Sequence, residues 1–192
     1  AGNLVNASPI ADLVIFLLAL DTRVVTENRG GRIRQIPLSQ FYCGYKSTLL
    51  EEGEWIRKIY FPIPQKVEKF NFEKVSKRTH LDIASVNSAI LIKEENGVIR
   101  NIRLSAGGVA PFPLYLYETC RYLRGRRIES GVLAEAGRIL QEEISPISDI
   151  RGSARYKRIL LRQLFFAHFD RLIPGVITPD LIRGTGGMDD AQ

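Results

Sequence analysis

The spacing of apolar residues changes character along the chain. Residues 10–20, IADLVIFLLAL, are apolar almost without interruption, which predicts a helix buried on all sides. Ser8 suits the N-cap of such a helix and Pro9 its first position, where a missing N–H costs nothing. Asp12 then falls in the first turn, where the helix dipole favours negative charge. The pattern next turns to alternation. Residues 23–27 and 32–36 read as two strands joined by Arg29-Gly30-Gly31, a predicted hairpin. A short helix opened by Ser39 is expected over 39–42. Residues 54–61, EWIRKIYF, alternate again until Pro62 and Pro64 stop the strand.

A charged stretch at 65–69 marks a change of composition, and a domain boundary is placed there, separating 1–64 from 68–172. Strands are predicted at 70–77, 83–93 and 98–106. The last two flank Asn96-Gly97, the strongest short hairpin signal in the chain. Three helices follow, at 114–123, at 130–143 capped by Ser130, and at 149–172. Leu160, Leu161, Leu164, Phe165 and His168 make the apolar stripe of the last. Residues 173–192 carry Pro, Gly and acidic side chains without periodicity and are expected to form a flexible tail. Strands followed by helices argue for an α+β fold, with a small antiparallel sheet packed against helices.

Composition narrows the picture. With 192 residues, 45% hydrophobic and 25% charged, the chain has the make-up of an ordinary globular protein. Its longest apolar run, 13–20, is too short to cross a bilayer, and no basic segment precedes it as in a signal peptide. Cys43 and Cys120 stand far apart and read as two free, mostly buried thiols in a reducing cytoplasm. The net charge of +6 gathers at Arg121, Arg124, Arg126 and Arg127 and again between Arg151 and Arg162. Without interleaved aromatics these clusters are read as solvated helix faces, paired in part with Glu118, Glu129 and Glu135, and not as a nucleic-acid surface.

Hydrolytic or metal chemistry has little to work with. His80 and His168 are the only histidines, and no HExxH, GxSxG or Cys/His cluster occurs. His168 is expected to be a helix-face or core histidine and His80 to sit in a loop. A cofactor protein needs no such groups, because the cofactor carries the chemistry. Gly2 and Asn3 lack bulk, so a ligand's phosphates can approach their backbone closely.

Four stretches carry a resemblance. They are Gly2-Asn3-Leu4-Val5-Asn6-Ala7-Ser8-Pro9-Ile10-Ala11-Asp12; Tyr45-Lys46-Ser47-Thr48-Leu49-Leu50 leading to Glu54-Trp55-Ile56; Lys74-Val75-Ser76-Lys77-Arg78 with Asp82-Ile83-Ala84; and Ser145-Pro146-Ile147-Ser148-Asp149-Ile150-Arg151. In order and spacing they resemble the FAD-binding subunit or domain of the molybdenum hydroxylases, the xanthine dehydrogenase family. The resemblance implies the end of an FAD-binding α/β subdomain followed by a flavoprotein C-terminal domain, a small sheet covered on one face by helices. Because Ala1 stands where the family has the first glycine of Gly-Gly-Asn, the natural protein is expected to extend upstream, where the family's first phosphate-binding loop lies.

The implied function is the FAD-carrying electron-transfer portion of such an enzyme. Electrons would pass from molybdopterin and iron–sulfur clusters on partner subunits through FAD to NAD or another acceptor. By the resemblance, Gly2 and Asn3 meet the FAD through their backbone, Asp12 accepts a hydrogen bond from a cofactor hydroxyl, Ile56 packs on the isoalloxazine ring, and Lys74 sits near the flavin. Read without it, Asp12 stabilises a helix start, Ile56 is a strand core residue and Lys74 a solvated lysine. Leu81 departs from the acidic residue that eukaryotic relatives carry there. The alternative function is a non-catalytic interaction module of the same fold that docks a partner through its basic helices. Taken alone, the segment is also expected to expose apolar area around 13–20 and Trp55 and so to self-associate.

Overall fold

In the computed structural model, residues 1–77 and 83–183 are described. Their elements, in order, are α1 (Gly2–Val5), α2 (Asp12–Ala19), β1 (Arg23–Asn28), β2 (Ile33–Pro37), β3 (Tyr42–Gly44), β4 (Ser47–Thr48), β5 (Glu54–Tyr60), β6 (Glu68–Ser76), β7 (Ala84–Glu95), β8 (Val98–Gly107), β9 (Leu114–Tyr115), α3 (Tyr117–Leu123), α4 (Ser130–Glu143), α5 (Ala154–Leu172) and α6 (Pro179–Arg183). The fold is α+β, as expected. His80 and Leu81 lie outside the described residues.

Two antiparallel sheets and a small ribbon result, with orders β2-β1-β5, β3-β4 and β6-β7-β8-β9. The Asn96-Gly97 turn forms as predicted, with φ of 53° and 74°, the left-handed pair that a tight hairpin needs. The predicted helix at 114–123 divides instead into β9 and α3. Leu114 and Tyr115 pair with Ala106 and Ser105 before the helix begins. The predicted helix at 39–42 shrinks to one 3₁₀ turn, Leu38–Gln40, preceded by Pro37 and without a side-chain cap. Ser130 is the first residue of α4, not its cap, and its hydroxyl donates to the Val176 carbonyl (3.1 Å). Helix α5 starts five residues later than predicted, where Ser153 accepts from the Tyr156 amide (3.1 Å).

The second sheet is covered on both faces. Phe70 and Lys74 of β6 touch α2, the former through an edge-on contact with Phe16 and the latter through Asp12. The intervening positions reach α5: Asn71 meets His168, Glu73 meets Arg171, and Lys69 donates to the Leu172 carbonyl. This is the two-residue period of a strand made visible. It also explains why nine consecutive residues of β7, from Ala84 to Ile92, are buried. The helices of the C-terminal segment take one face, and α2, from the N-terminal segment, takes the other.

That placement corrects the expected apolar exposure at 13–20. Val14, Ile15, Leu17, Leu18 and Ala19 are buried, and only Leu13 is strongly exposed. The core is continuous from Leu4 through α2 and β7 to Phe165 and Phe169 of α5. Helix α2 ends in a Schellman arrangement. Asp21 takes the left-handed conformation (φ 57°), its amide reaches Leu18 O, and the Thr22 amide reaches Leu17 O. Arg103 fixes Asp21 by an ion pair of 2.7 Å. Beyond α5 the chain runs to α6, whose Leu181 is buried and whose last carbonyls receive Arg162. Among the described residues no helix is long and apolar enough to cross a membrane.

Cys43 is exposed, against expectation, because β3 belongs to a two-stranded ribbon that leaves its side chain uncovered; Cys120 is buried in α3. Burial pushes the Cys120 thiol up to about 12, so it stays protonated. The first basic cluster is partnered in part as read from the sequence, Arg121 with Glu118 and Arg127 with Glu129, whereas Glu135 pairs with Arg138, outside both clusters.

Candidate functional site

The segment before α2 does not continue the helix as predicted. Its carbonyls are used elsewhere. Pro9 O accepts from the Gly108 amide (2.8 Å), and Ile10 O from the Asn87 side chain (3.4 Å). With these carbonyls drawn towards the second sheet, Ala11 takes an extended conformation (φ −73°, ψ 104°) as the N-cap and the helix opens at Asp12. Glycine is required at the approach. A Cβ on Gly108 would lie 2.4 Å from Ser85 O, and φ there is +82°.

Asp12 therefore sits at the first turn of α2, directly over the second sheet. Lys74 and Asn87 are cross-strand partners in the β6–β7 register, so they share a face. Lys74 Nζ donates to Asp12 Oδ2 at 2.7 Å, and Asn87 Nδ2 to Asp12 Oδ1 at 2.5 Å. The Asp12 and Lys74 side chains remain 41% and 29% exposed, whereas Asn87 is buried. The cluster is thus open on one side.

The structure brings Asp12 and Lys74 into direct contact. Gly2 and Asn3 lie in α1, a single helical turn, and both are exposed. The turn is held from below: Tyr42 donates to Leu4 O (3.2 Å), and Lys46 to Asn6 O and Asn6 Oδ1 (3.1 and 2.8 Å). Ile56 is half-buried on β5, an edge strand of the other sheet, and packs against the common core. Asn87, Gly107 and Gly108 were missed. Their types say only strand interior and strand end; what they do depends on a partner 75 or more residues away.

Beside Ile10 lies a cavity of about 340 Å³ lined by Pro9, Tyr45, Gly108, Pro111, Ile147 and Arg151, among others. Three of the four sequence motifs contribute to it, and the fourth, through Lys74, meets Asp12 two residues from Ile10. The Ser145–Arg151 motif is pinned in place by Ser145 N to Val109 O (2.9 Å) and Ser85 Oγ to Arg151 O (3.0 Å). Buried Lys157 bonds Asp149 (2.8 Å) and Ile147 O (2.9 Å). A larger opening of about 770 Å³, between α3 and α4, is lined by Glu118, Arg121, Arg124, Arg126, Glu142 and Glu143 among others. Its carboxylates are engaged by Arg121, Arg138 and the α3 N-terminus, and none of the motif residues lines it.

A sheet is thus buried between helices, with a charged corner built by motifs from both halves of the chain. The chain belongs to the flavoprotein family of the molybdopterin dehydrogenases: residues 72–172 match the CO dehydrogenase flavoprotein C-terminal domain, and residues 1–64 match the FAD binding domain in molybdopterin dehydrogenase. It is 35% identical over 172 residues to nicotinate hydroxylase of Emericella nidulans, covering 86% of this chain and 13% of that protein. It is 30% identical over 172 residues to xanthine dehydrogenase/oxidase of Gallus gallus, covering 88% and 13%. The chain thus spans about an eighth of the length of these relatives. Among solved structures, carbon monoxide dehydrogenase from Hydrogenophaga pseudoflava superposes with a TM-score of 0.83 at 25% identity, over 89% of this chain and 59% of that one.

The residues present fit an FAD. A side chain on Gly2 would meet nothing within 4 Å, so its backbone is open to approach. Each Asp12 oxygen accepts one bond from the protein and keeps a further lone pair for a hydroxyl. The exposed flank of Lys74 offers positive charge on the same side.

Proposed function

We propose that this chain is the FAD-carrying electron-transfer portion of a molybdenum hydroxylase. Electrons would reach it from iron–sulfur clusters on one partner subunit, having left substrate at molybdopterin on another, and would leave to NAD or a different acceptor. The observation that carries the reading is the convergence of four separated motifs on the segment from Pro9 to Asp12. Bound FAD supplies the redox chemistry. The chain's own residues hold and bias it: Gly2 and Asn3 by backbone approach, Asp12 by accepting a hydroxyl, Ile56 by apolar contact with the ring, and Lys74 by charge. An interaction module working through basic helices is less well supported, since several of those arginines are bonded to this chain's own carboxylates or carbonyls.

Lys74 supplies the test. Its charge offsets the negative charge that reduction adds, although Asp12 already balances part of it. A flavin-facing cation at this exposure is worth about 1–2 kcal/mol at an effective dielectric near 20. For a two-electron couple that is roughly 20–45 mV. Lys74→Met in the complete assembly is expected to lower the flavin potential by the smaller of these values and to leave the chemistry at molybdenum intact. Lys77 is unsuitable as the control, because its ammonium donates to Ile150 O (2.6 Å) within the Ser145–Arg151 motif that lines the candidate site. Arg100→Met, on the far hairpin of the second sheet, serves instead. A redox titration giving equal potentials for wild type and both variants, at unchanged FAD occupancy, would remove Lys74 from the site.

A further inference from the structure

Asn87 sits at a position where an asparagine is expensive. It is fully buried in the central strand of a sheet covered on both faces. Its carbonyl oxygen Oδ1 is buried and has no hydrogen-bond partner. Its neighbour across β8 must be glycine, because a Cβ on Gly107 would lie 2.2 Å from that oxygen and 2.9 Å from Pro9 O. An apolar residue at 87 would fill the strand interior without either burden. What the amide gives in return is two hydrogen bonds, both to the segment that enters α2: Ile10 O and Asp12 Oδ1.

These bonds differ in kind from the one Lys74 makes. The lysine ammonium ends a flexible four-carbon stem and is partly solvated, so it follows Asp12 wherever the carboxylate goes. The Asn87 amide is locked by packing, and its donors have one direction. We propose that Asn87 is a positioning residue for the cofactor site: it fixes the rotamer of Asp12, so that one carboxylate oxygen is held by the sheet and the other, with Lys74, is turned towards the ligand. The inference rests on the reading that Asp12 accepts a hydrogen bond from FAD. The strand position, the register with Lys74 and the glycine opposite are one device, set to aim a group on another element.

A double-mutant cycle on the complete FAD subunit separates this from a merely structural role. FAD affinity is measured by titrating the flavin-free protein and following flavin fluorescence, for wild type, Asn87→Leu, Asp12→Ala and the double variant. Each single variant is expected to bind FAD about tenfold more weakly, the loss of one well-aligned bond to a charged group. The double variant is expected to bind no more weakly than Asp12→Ala alone, because Asn87 acts only through Asp12. Equal losses from Asn87→Leu in both backgrounds, or no loss in either, would overturn the proposal while leaving Asp12 in the site. Unchanged affinity in Asp12→Ala would overturn the site reading and the proposal with it. If Asn87→Leu does not fold, Asn87→Thr replaces it in the same cycle. Threonine suits a strand interior, and its shorter side chain withdraws the donor from Asp12.

Discussion

The two larger sheets treat polar residues in opposite ways. In β2-β1-β5 most polar groups are charged and paired, and buried Thr26 donates to one of them, Glu54 (3.1 Å). Arg34 binds Glu54 (2.5 Å) and Glu51 (3.1 Å), Arg32 also reaches Glu51, and Arg57 reaches Glu27. No strand of this sheet is buried along its length; β5 alternates between half-buried and exposed positions. In β6-β7-β8-β9 the interior polar groups are neutral. Asn71, Asn87, Ser88, Ser105 and His168 are all buried, and Ser105 ties the sheet to α2 through Ile15 O (2.7 Å). Charge meets this sheet at its margins: at Asp12 and Lys74 where α2 begins, at Asp21 and Arg103 where it ends, and at Glu73 and Arg171. The first sheet is thus tied largely by paired charges and the second by its neutral interior, and the proposed cofactor site lies where the buried sheet opens to solvent.

The largest expected difference is in packing. Ile90 of β7 is completely buried, while Ile33 of β2 is 54% exposed. Ile90→Ala is expected to lower unfolding free energy by about 2–5 kcal/mol, and Ile33→Ala by less than about 0.5 kcal/mol. Denaturant titrations that return equal losses would break the contrast.

A pH effect comes next. Burial holds His168 neutral, down to about 3 from its ordinary 6.5. Its Nδ1 meets Asn71 (2.9 Å), and Nε2 is buried without a partner. The unfolded chain takes the proton more readily, so the contribution is complete above pH 6.5 and is lost as pH falls towards 3. The slope in that window approaches about 1.4 kcal/mol per pH unit. His168→Gln is expected to flatten stability across it, as urea titrations at several pH values would show. A slope that persists in the variant would mean that other groups carry it.

The smallest effect belongs to the open sheet. The hydrogen bond from Arg34 leads the causes that hold Glu54 down at about 2, against an ordinary 4.5. Here the contribution is present above pH 4.5 and disappears as pH falls through 2. Because Arg34 is partly solvated while the Glu54 side chain is enclosed, the pair is worth about 1–2 kcal/mol. Glu54→Gln is expected to remove that acid sensitivity and little else, leaving the His168 window intact. A loss comparable with that of Ile90→Ala would show that the rim supports the first sheet as strongly as the core supports the second.

Much of this contrast was legible in the residues. The alternation of EWIRKIYF marks a half-covered strand, and the Asn-Gly turn fixes the β7–β8 pairing. The near-continuous apolar run of α2 signals burial but cannot say against what. That α2 would close the second sheet depends on Phe16 meeting Phe70 and Ser105 reaching Ile15 O, contacts spanning 54 and 90 residues. The start of α2 was misread for the same reason. Ser8 and Pro9 have the local chemistry of a helix entry, but Gly108 and Asn87 claim the carbonyls that would have begun it. Asp12 and Lys74 were named through resemblance alone. Their contact needs the register that pairs Lys74 with Asn87, which no spacing reveals.

Helix α2 also constrains how this chain can be recombined. In sequence it belongs with the segment 1–64, and in space it is a wall of the sheet built by 68–115. A chimaera that joined the first 64 residues of one relative to the remainder of another would bring a foreign helix onto Phe70, Lys74, Asn87 and Gly107. The cut that respects the molecule is not at the linker. It exchanges α2 together with the inward positions of β6, β7 and β8, so that the junction follows a packing surface and not a stretch of chain.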